Sequence, residues 1–476
     1  MIERALGLTT DLYELTMAAA YFENGLTRPA LFDLFVRKLP PHRSYLIVAG
    51  LEQALDYLSS LRFTGDQIEY VRGHPAFKHV SHEFFEYLSE LEFSGDVWAM
   101  PEGTAAFGME PLLRVKAPII EAQIIETFLL STINFQTMIA SKAARMVTAA
   151  GERSVIEFGT RRAHGTEAGL LAARAAYIGG CAGTSNVEAG HLFGIPTFGT
   201  LAHSFVMSFE KEDDAFRAFL KVFPESATVL VDTYDTIAAV KRLAQDFRHV
   251  GTPIPAIRLD SGDLCELSKQ VRRILDDAGM NDTKIFVSGD LNEYRITDLI
   301  SNGAKIDSFG VGTELATSYD APALSGVYKL AGIEENGRIS MRIKLSRDKA
   351  TFPGAKQVWR LTDVAGKHVR DVIALADEDP PAGREQEGSW RALLEPVMID
   401  GRVSGDFAEI TGDEPGGKLS AARFARLNQA RARAAGEKER LPDSLLAAKS
   451  EMQYAVDISE RLAEERDRLK RKINHR

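Results

Sequence analysis

The 476-residue chain has two cysteines, Cys181 and Cys265, widely separated. Such spacing argues against a disulfide framework and against a cysteine-ligated zinc site. No run of about 18 apolar residues occurs, so no segment is expected to span a membrane. The opening MIERALGLTTDLYEL mixes acidic residues with short apolar stretches. It is not read as a signal peptide, and a cytoplasmic location is the expectation. Positive charge is in deficit: 57 Lys and Arg against 67 Asp and Glu give a formal net charge of -10. With no basic stripe before the C-terminal tail, a nucleic-acid surface is not expected. Anionic small molecules stay open as substrates, because a local Arg/Lys cluster can overcome a mildly negative field. HxH and HExxH patterns are missing, as are GxGxxG after a strand and GxxxxGK[ST]. Their absence weakens a metallohydrolase built on Asp232, Asp260, His203 and His191, a dinucleotide-binding dehydrogenase and a P-loop enzyme.

What the chain does have is 45% hydrophobic residues, enough for a large core and two domains. Its most informative stretch is Arg153 to Val206. Two short apolar runs, Val155-Ile156 and Thr197-Phe198, each end in Gly-Thr; Arg161 and Arg162 follow the first, His203 the second. Buried strands that end in glycine and then present a cation or an imidazole are how an α/β barrel places chemistry at its C-terminal rim. The alanine-rich EAGLLAARAAYIG between them reads as the helix joining two parallel strands. The beat continues: strands at 228–231, 256–259, 285–287 and 306–309 end in Asp232, in Asp260-Ser261-Gly262-Asp263, in Ser288-Gly289-Asp290 and in Gly310 to Thr313. Asp260 and Asp290 suit ribose hydroxyls or Mg²⁺, although helix capping is the competing use, most of all for Asp263. Gly310-Val311-Gly312-Thr313 suits a phosphate cradled by backbone N–H groups. Arg161 suits bidentate recognition of a carboxylate or phosphate.

The flanks have another texture. Leu8 to Gly25 reads as a capped helix, with Tyr13 in its first turn as either a packed aromatic or a ligand. Alternation in Ala30 to Val36 suggests a strand, and Arg37 after it is a solvated residue or a polyanion ligand. Residues 52–92 read as helical, a β-rich stretch follows, and a long helix starts at Ile119. After Ala321, SGVYKLAGI, RISMRIKLS, KQVWRLTD and HVRDVIAL read as strands. The expected organisation is a β-rich α+β domain from both chain ends (1–118 and 326–476) around a barrel at 119–325. The densely charged 419–476 region is expected to be a helix with a solvated face.

The motifs GLTTDLYELTMAAAY, FVRKLP, EFGTRRAHG, GTSN, FGTLAHSF, VDTYDT, RLDSGDL, SGDLNEY, FGVGTEL and KLSRDKATFPGAKQVWR together resemble nicotinate phosphoribosyltransferases. They run in order from near the N-terminus to about residue 360, and beyond 400 only YAVDIS adds to them. The resemblance implies an α/β fold: an irregular TIM-like barrel plus a second, β-rich domain, working as a homodimer with shared active sites. It implies a ligase-type reaction joining nicotinate to 5-phosphoribosyl-1-diphosphate, coupled to ATP hydrolysis through phosphorylation of His203, with ATP and Mg²⁺ as cofactors. Phe158, and Tyr13 from the second subunit, would sandwich the pyridine ring, and Arg161 would meet its carboxylate. Asp260, Gly289 and Asp290 would contact the ribose; Gly310 and Gly312 the 5-phosphate. Arg37, Lys344 and Lys349 would surround the diphosphate. Thr184, Ser185, Arg258 and Thr313 complete the implied substrate-binding set.

Ser185 bears on the choice of substrate. In the nicotinamide-using relative an Asp stands in this segment and accepts from the amide. A carboxylate here would repel nicotinate, whereas a hydroxyl can donate to it. Nicotinate is therefore expected over nicotinamide, the nearest alternative; a non-catalytic pyridine-nucleotide-binding protein is the other.

Overall fold

The computed structural model describes residues 6–250, 253–345, 351–381, 388–405, 407, 421–450 and 452–474, with backbone alone at 247–250. Two units emerge, Met1–Met138 with Ala323–Arg476, and Ile139–Pro322. Among the described residues no helix is long and apolar enough to cross a membrane.

In the first unit, strand Pro29–Val36 is an interior strand, third in the order of a seven-stranded sheet. It pairs antiparallel with Gly326–Glu335 on one side and Pro111–Pro118 on the other. Both ends of the chain thus build one sheet. The alternation in this strand suggests a single buried face, yet every residue after Pro29 is buried. Covering both faces forces Asp33 inside, where Lys356 Nζ meets it at 2.6 Å. Burial pushes the Asp33 carboxyl up and Lys356 opposes that, so this pair is a desolvated charge kept only because it is matched. A second, four-stranded sheet runs Ser389–Ala392, Lys356–Thr362, His368–Leu375, Ala455–Ile458, its last strand parallel to its neighbour. The YAVDIS segment supplies that last strand.

Two expectations change here. Helix Ala421–Arg440 is not simply a solvated charged rod: Leu427, Ala430, Ala434 and Glu437 recur on one buried face. Glu437 receives Arg360 Nη1 at 2.6 Å and Arg391 Nη2 at 2.5 Å. Burial pushes its carboxyl up, but His368, Arg360 and Arg391 outweigh burial and hold it at about 2. Residues 119–138, expected to open the barrel, group with the first unit instead. The Ile119 N–H donates to Arg28 O (3.0 Å), Thr10 Oγ1 to Ile124 O (2.9 Å), and Thr127 Oγ1 to Asp11 (2.7 Å) and Glu14 (2.6 Å). The long helix Glu126–Ala150 then carries the chain from the first unit into the second.

The second unit is a parallel sheet of six strands in the order Gly183–Thr184, Ser154–Glu157, Ser308–Val311, Lys284–Val287, Ala256–Leu259, Thr228–Leu230. Its edges are joined through the segment 196–201. Thr184 bridges Thr197 in parallel, the Phe198 N–H donates to Thr184 O (2.9 Å), and the Leu201 N–H donates to Thr228 O (3.0 Å). The sheet therefore closes as an irregular barrel. Thr197-Phe198, expected to be a full strand, contributes only that bridge. The strand that follows 154–157 along the chain, and pairs with one of its edges, is Gly183–Thr184, joined to it by helix Thr166–Ile178. Because all these strands are parallel, their C-terminal ends share one rim.

Candidate active site

His203 is the first residue of helix His203–Met207. Its Nδ1 lies 3.2 Å from Thr233 Oγ1 and its Nε2 4.0 Å from Asp260 Oδ2. The imidazole is 44 % exposed, so it is open to a ligand and not sealed in apolar packing. Asp260, just past strand Ala256–Leu259, accepts from Arg258 Nη2 at 2.6 Å and from Ser288 Oγ at 2.5 Å. Burial pushes its carboxyl up, but Ser288, Arg258 and His203 more than offset that, leaving it below the ordinary carboxylate value. Asp260 is thus a committed acceptor at neutral pH.

Arg258 also donates from Nε to Ser288 Oγ (2.8 Å) and from Nη1 to Thr200 Oγ1 (2.7 Å). Each of its three nitrogens makes a bond inside the barrel, so it braces Asp260. Asp232 was legible as a strand-end carboxylate, though its task was not. Its Oδ2 accepts from the Asp260 N–H (3.0 Å) and from Ser261 Oγ (2.6 Å), and its Oδ1 is buried with no hydrogen-bond partner among the described residues. Asp290 takes a left-handed backbone (φ 43°) beside Gly289 (φ 97°), whose missing Cβ lets the turn press against the Asp260 carbonyl.

Across the intervening strand Ser308–Val311, Phe158 (just past strand Ser154–Glu157) and Phe286 pack with ring centroids 5.3 Å apart, a contact contributing about 1 kcal/mol beyond its area. Strand Ser308–Val311 extends two residues past the expected run, so Gly310 lies inside it, opposite Ile156. A Cβ there would overlap the Phe286 ring and come within 3.2 Å of Phe158. Gly310 therefore makes room for the aromatic pair; only Gly312 and Thr313 stand at the rim, at the start of helix Thr313–Ala316. Arg161 sits exposed in the turn Thr160–Arg162. Ser185 is half-buried on the adjacent loop. Thr184, by contrast, is fully buried, with its hydroxyl donating to Glu157 (2.6 Å) and accepting from the Asn186 N–H (3.0 Å). It has no group left to offer a substrate.

The rim thus brings together Phe158, Arg161, Ser185, His203, Asp260, Gly289, Asp290, Gly312 and Thr313. Tyr13, Arg37 and Lys344 belong to the first unit. There Tyr13 is 46 % exposed, Arg37 Nε is buried without a hydrogen-bond partner among the described residues, and Lys344 is exposed. Lys349 lies outside the described residues. Sequence reading missed Glu157, the buried carboxylate behind Thr184, because it looks like the polar end of an ordinary strand.

Three family models match the chain: the nicotinate phosphoribosyltransferase N-terminal domain over 8–134, the quinolinate phosphoribosyl transferase C-terminal domain over 139–322, and the nicotinate phosphoribosyltransferase C-terminal domain over 355–466. A nicotinate phosphoribosyltransferase of Mycobacterium tuberculosis is 45% identical over 397 residues, covering 83% of this chain and 82% of that protein. One from Bacillus subtilis is 46% identical over 382 residues, covering 79% of this chain and 77% of its own. The crystal structure of human nicotinic acid phosphoribosyltransferase superposes with a TM-score of 0.81 at 28% identity, covering 97% of this chain and 99% of that one.

Proposed function

The chain belongs to the nicotinate phosphoribosyltransferase family, and from that premise we infer that it makes nicotinate mononucleotide and diphosphate from nicotinate and 5-phosphoribosyl-1-diphosphate. This is the first step of NAD salvage from nicotinate, carried out in the cytoplasm. The pyridine nitrogen lone pair attacks C1 of the ribosyl donor. The C1–O bond breaks, and its electron pair leaves with diphosphate. No side-chain nucleophile is needed, so the protein contributes position and charge. Phe158 gives the ring a face, Arg161 pairs with the carboxylate, and Ser185 donates to it. Asp260 and Asp290 accept from ribose hydroxyls, while the backbone at Gly312 and Thr313 holds the 5-phosphate. In a homodimer, the half-exposed Tyr13 of a second copy would cover the other face of the ring, and Arg37, Lys344 and Lys349 would meet the diphosphate.

ATP coupling runs through His203. An imidazole nitrogen takes the γ-phosphoryl group, the phosphorus–oxygen bond to ADP breaks, and ADP leaves with its electron pair; water later releases phosphate. The added charge orders the diphosphate and the Mg²⁺ it carries. Among the described residues no cluster of three or more His, Cys, Asp or Glu suits a metal, and Mg²⁺ would arrive with the phosphates. The observation that carries this reading is the open imidazole, tethered by Thr233 and facing Asp260 on the rim that also bears Arg161 and Gly312. Incubation with γ-labelled ATP should leave acid-labile phosphate on the protein, discharged on adding nicotinate and the ribosyl donor. His203→Ala should lose both the label and ATP stimulation while keeping a slow ATP-independent reaction. ATP stimulation that survives in His203→Ala would refute the phosphohistidine.

A further inference from the structure

Glu157 ends strand Ser154–Glu157 and is fully buried. One carboxylate oxygen accepts from the Gly159 N–H, and the other accepts the Thr184 hydroxyl at 2.6 Å. Its own carbonyl accepts from the Ser185 N–H at 2.8 Å. Gly159 lies between Phe158 and Arg161, and Thr184 directly precedes Ser185. One buried residue therefore ties the loop that carries the ring face and the guanidinium to the loop that carries the discriminating hydroxyl. A second strut joins the same loops, from Asn186 Nδ2 to Thr160 Oγ1 at 3.1 Å. The first loop has no slack on its inner side, since a Cβ on Gly159 would lie 2.8 Å from Gly312 O.

The chemistry of the tie is specific. Both partners of the side chain are donors, so both of its oxygens must accept, which a carboxylate does and an amide cannot. If Thr184 instead accepted from an amide at this position, its own hydroxyl proton would lose the acceptor it has in Glu157, while its oxygen still takes the Asn186 N–H at 3.0 Å. Burial pushes the Glu157 carboxyl up, and the two hydrogen bonds work against that shift.

We propose that Glu157 is a positioning residue that sets the spacing between Arg161 and Ser185, and through it the preference for a pyridine bearing a carboxylate. The proposal rests on the nicotinate reading above. Steady-state kinetics of Glu157→Gln test it. KM for nicotinate should rise about tenfold, the scale of one disrupted buried hydrogen bond. The nicotinate-over-nicotinamide preference should fall with it, while KM for the ribosyl donor and kcat stay within about threefold. Thr184→Val removes the same tie from its other end and should raise the same KM. The double variant should be little worse than Glu157→Gln, because both changes delete one link. Should Glu157→Gln fail to fold, Thr184→Val decides alone. An unchanged nicotinate KM, or a loss spread evenly over kcat and both KM values, would overturn the proposal. Wild-type protein that turns over no nicotinate would instead remove the reading beneath it, and the proposal with it.

Discussion

Replacing Lys142 by Met should destabilise the second unit by an amount the ion network sets. Lys142 has 1% of its side chain exposed, and its Nζ lies 2.6 Å from Glu293, 2.8 Å from Asp320 and 3.7 Å from Glu314. Glu293 begins the helix after the Gly289-Asp290 turn, and Glu314 lies in the helix after Gly312. One ammonium thus anchors the elements behind both the Gly289-Asp290 turn and the Gly312 turn. Removing one partner of a buried pair costs about 3–5 kcal/mol. Two features favour the lower figure. Glu293 keeps Arg145 Nε at 2.9 Å, and Asp320 and Glu314 are 25% and 21% exposed, so water can reach them. The Glu314 carboxyl is already pushed up by burial, against the pull of Lys142, and can shed its charge by taking a proton. About 3 kcal/mol in a unit of roughly 150–250 residues lowers Tm by about 6–12 °C.

The pH dependence has a definite sign. Burial pushes the Glu293 carboxyl up, but Lys142 and Arg145 outweigh it and leave it below the ordinary value of 4.5. A carboxylate depressed by folding stabilises fully above its unfolded value and loses that contribution as pH falls through its folded one. The gap between wild type and Lys142→Met should therefore be full at neutral pH and narrow below about pH 4. Scanning calorimetry at both pH values measures it. A Tm drop under about 2 °C at neutral pH, or a gap that widens on acidification, would refute the argument.

Gly310→Ala should cost about 1–3 kcal/mol, because its Cβ falls on the Phe286 ring, and should raise the nicotinate KM by displacing Phe158. Calorimetry and initial rates would register both, and an unchanged KM would mean that Phe158 does not hold the ring. Ser185→Asp should lower kcat/KM for nicotinate about tenfold or more by setting two carboxylates near each other, while nicotinamide loses less. Competition between the two pyridines gives the ratio directly.

The alternation of strand and helix was legible because most barrel strands are apolar runs that end in Gly, Asp or Ser, and His203, Asp260 and Arg161 stand where those runs stop. Gly183–Thr184 escaped because two residues carry no periodicity. Gly310 looks like a rim residue in the sequence because a glycine that yields space to Phe286 reads like one that yields space to a phosphate. Thr184 and Arg258 have the right residue types at the right edge, yet their polar atoms are consumed by Glu157 and by Asp260 and Ser288. The buried charges of the first unit were hidden for another reason. Arg360 and Glu437 stand 77 positions apart, so neither announces that it neutralises the other.

The strand Pro29–Val36 has consequences for how the molecule is made. Its partner on one edge, Gly326–Glu335, leaves the ribosome only after the whole barrel has been synthesised. The barrel draws all its strands from one contiguous stretch and can close while that edge still waits. Until residue 335 emerges, an almost wholly apolar strand presents unpaired backbone groups to any other nascent chain nearby. A translation stop between the barrel and that partner would accordingly yield a closed barrel attached to a sticky half-sheet, a product prone to association.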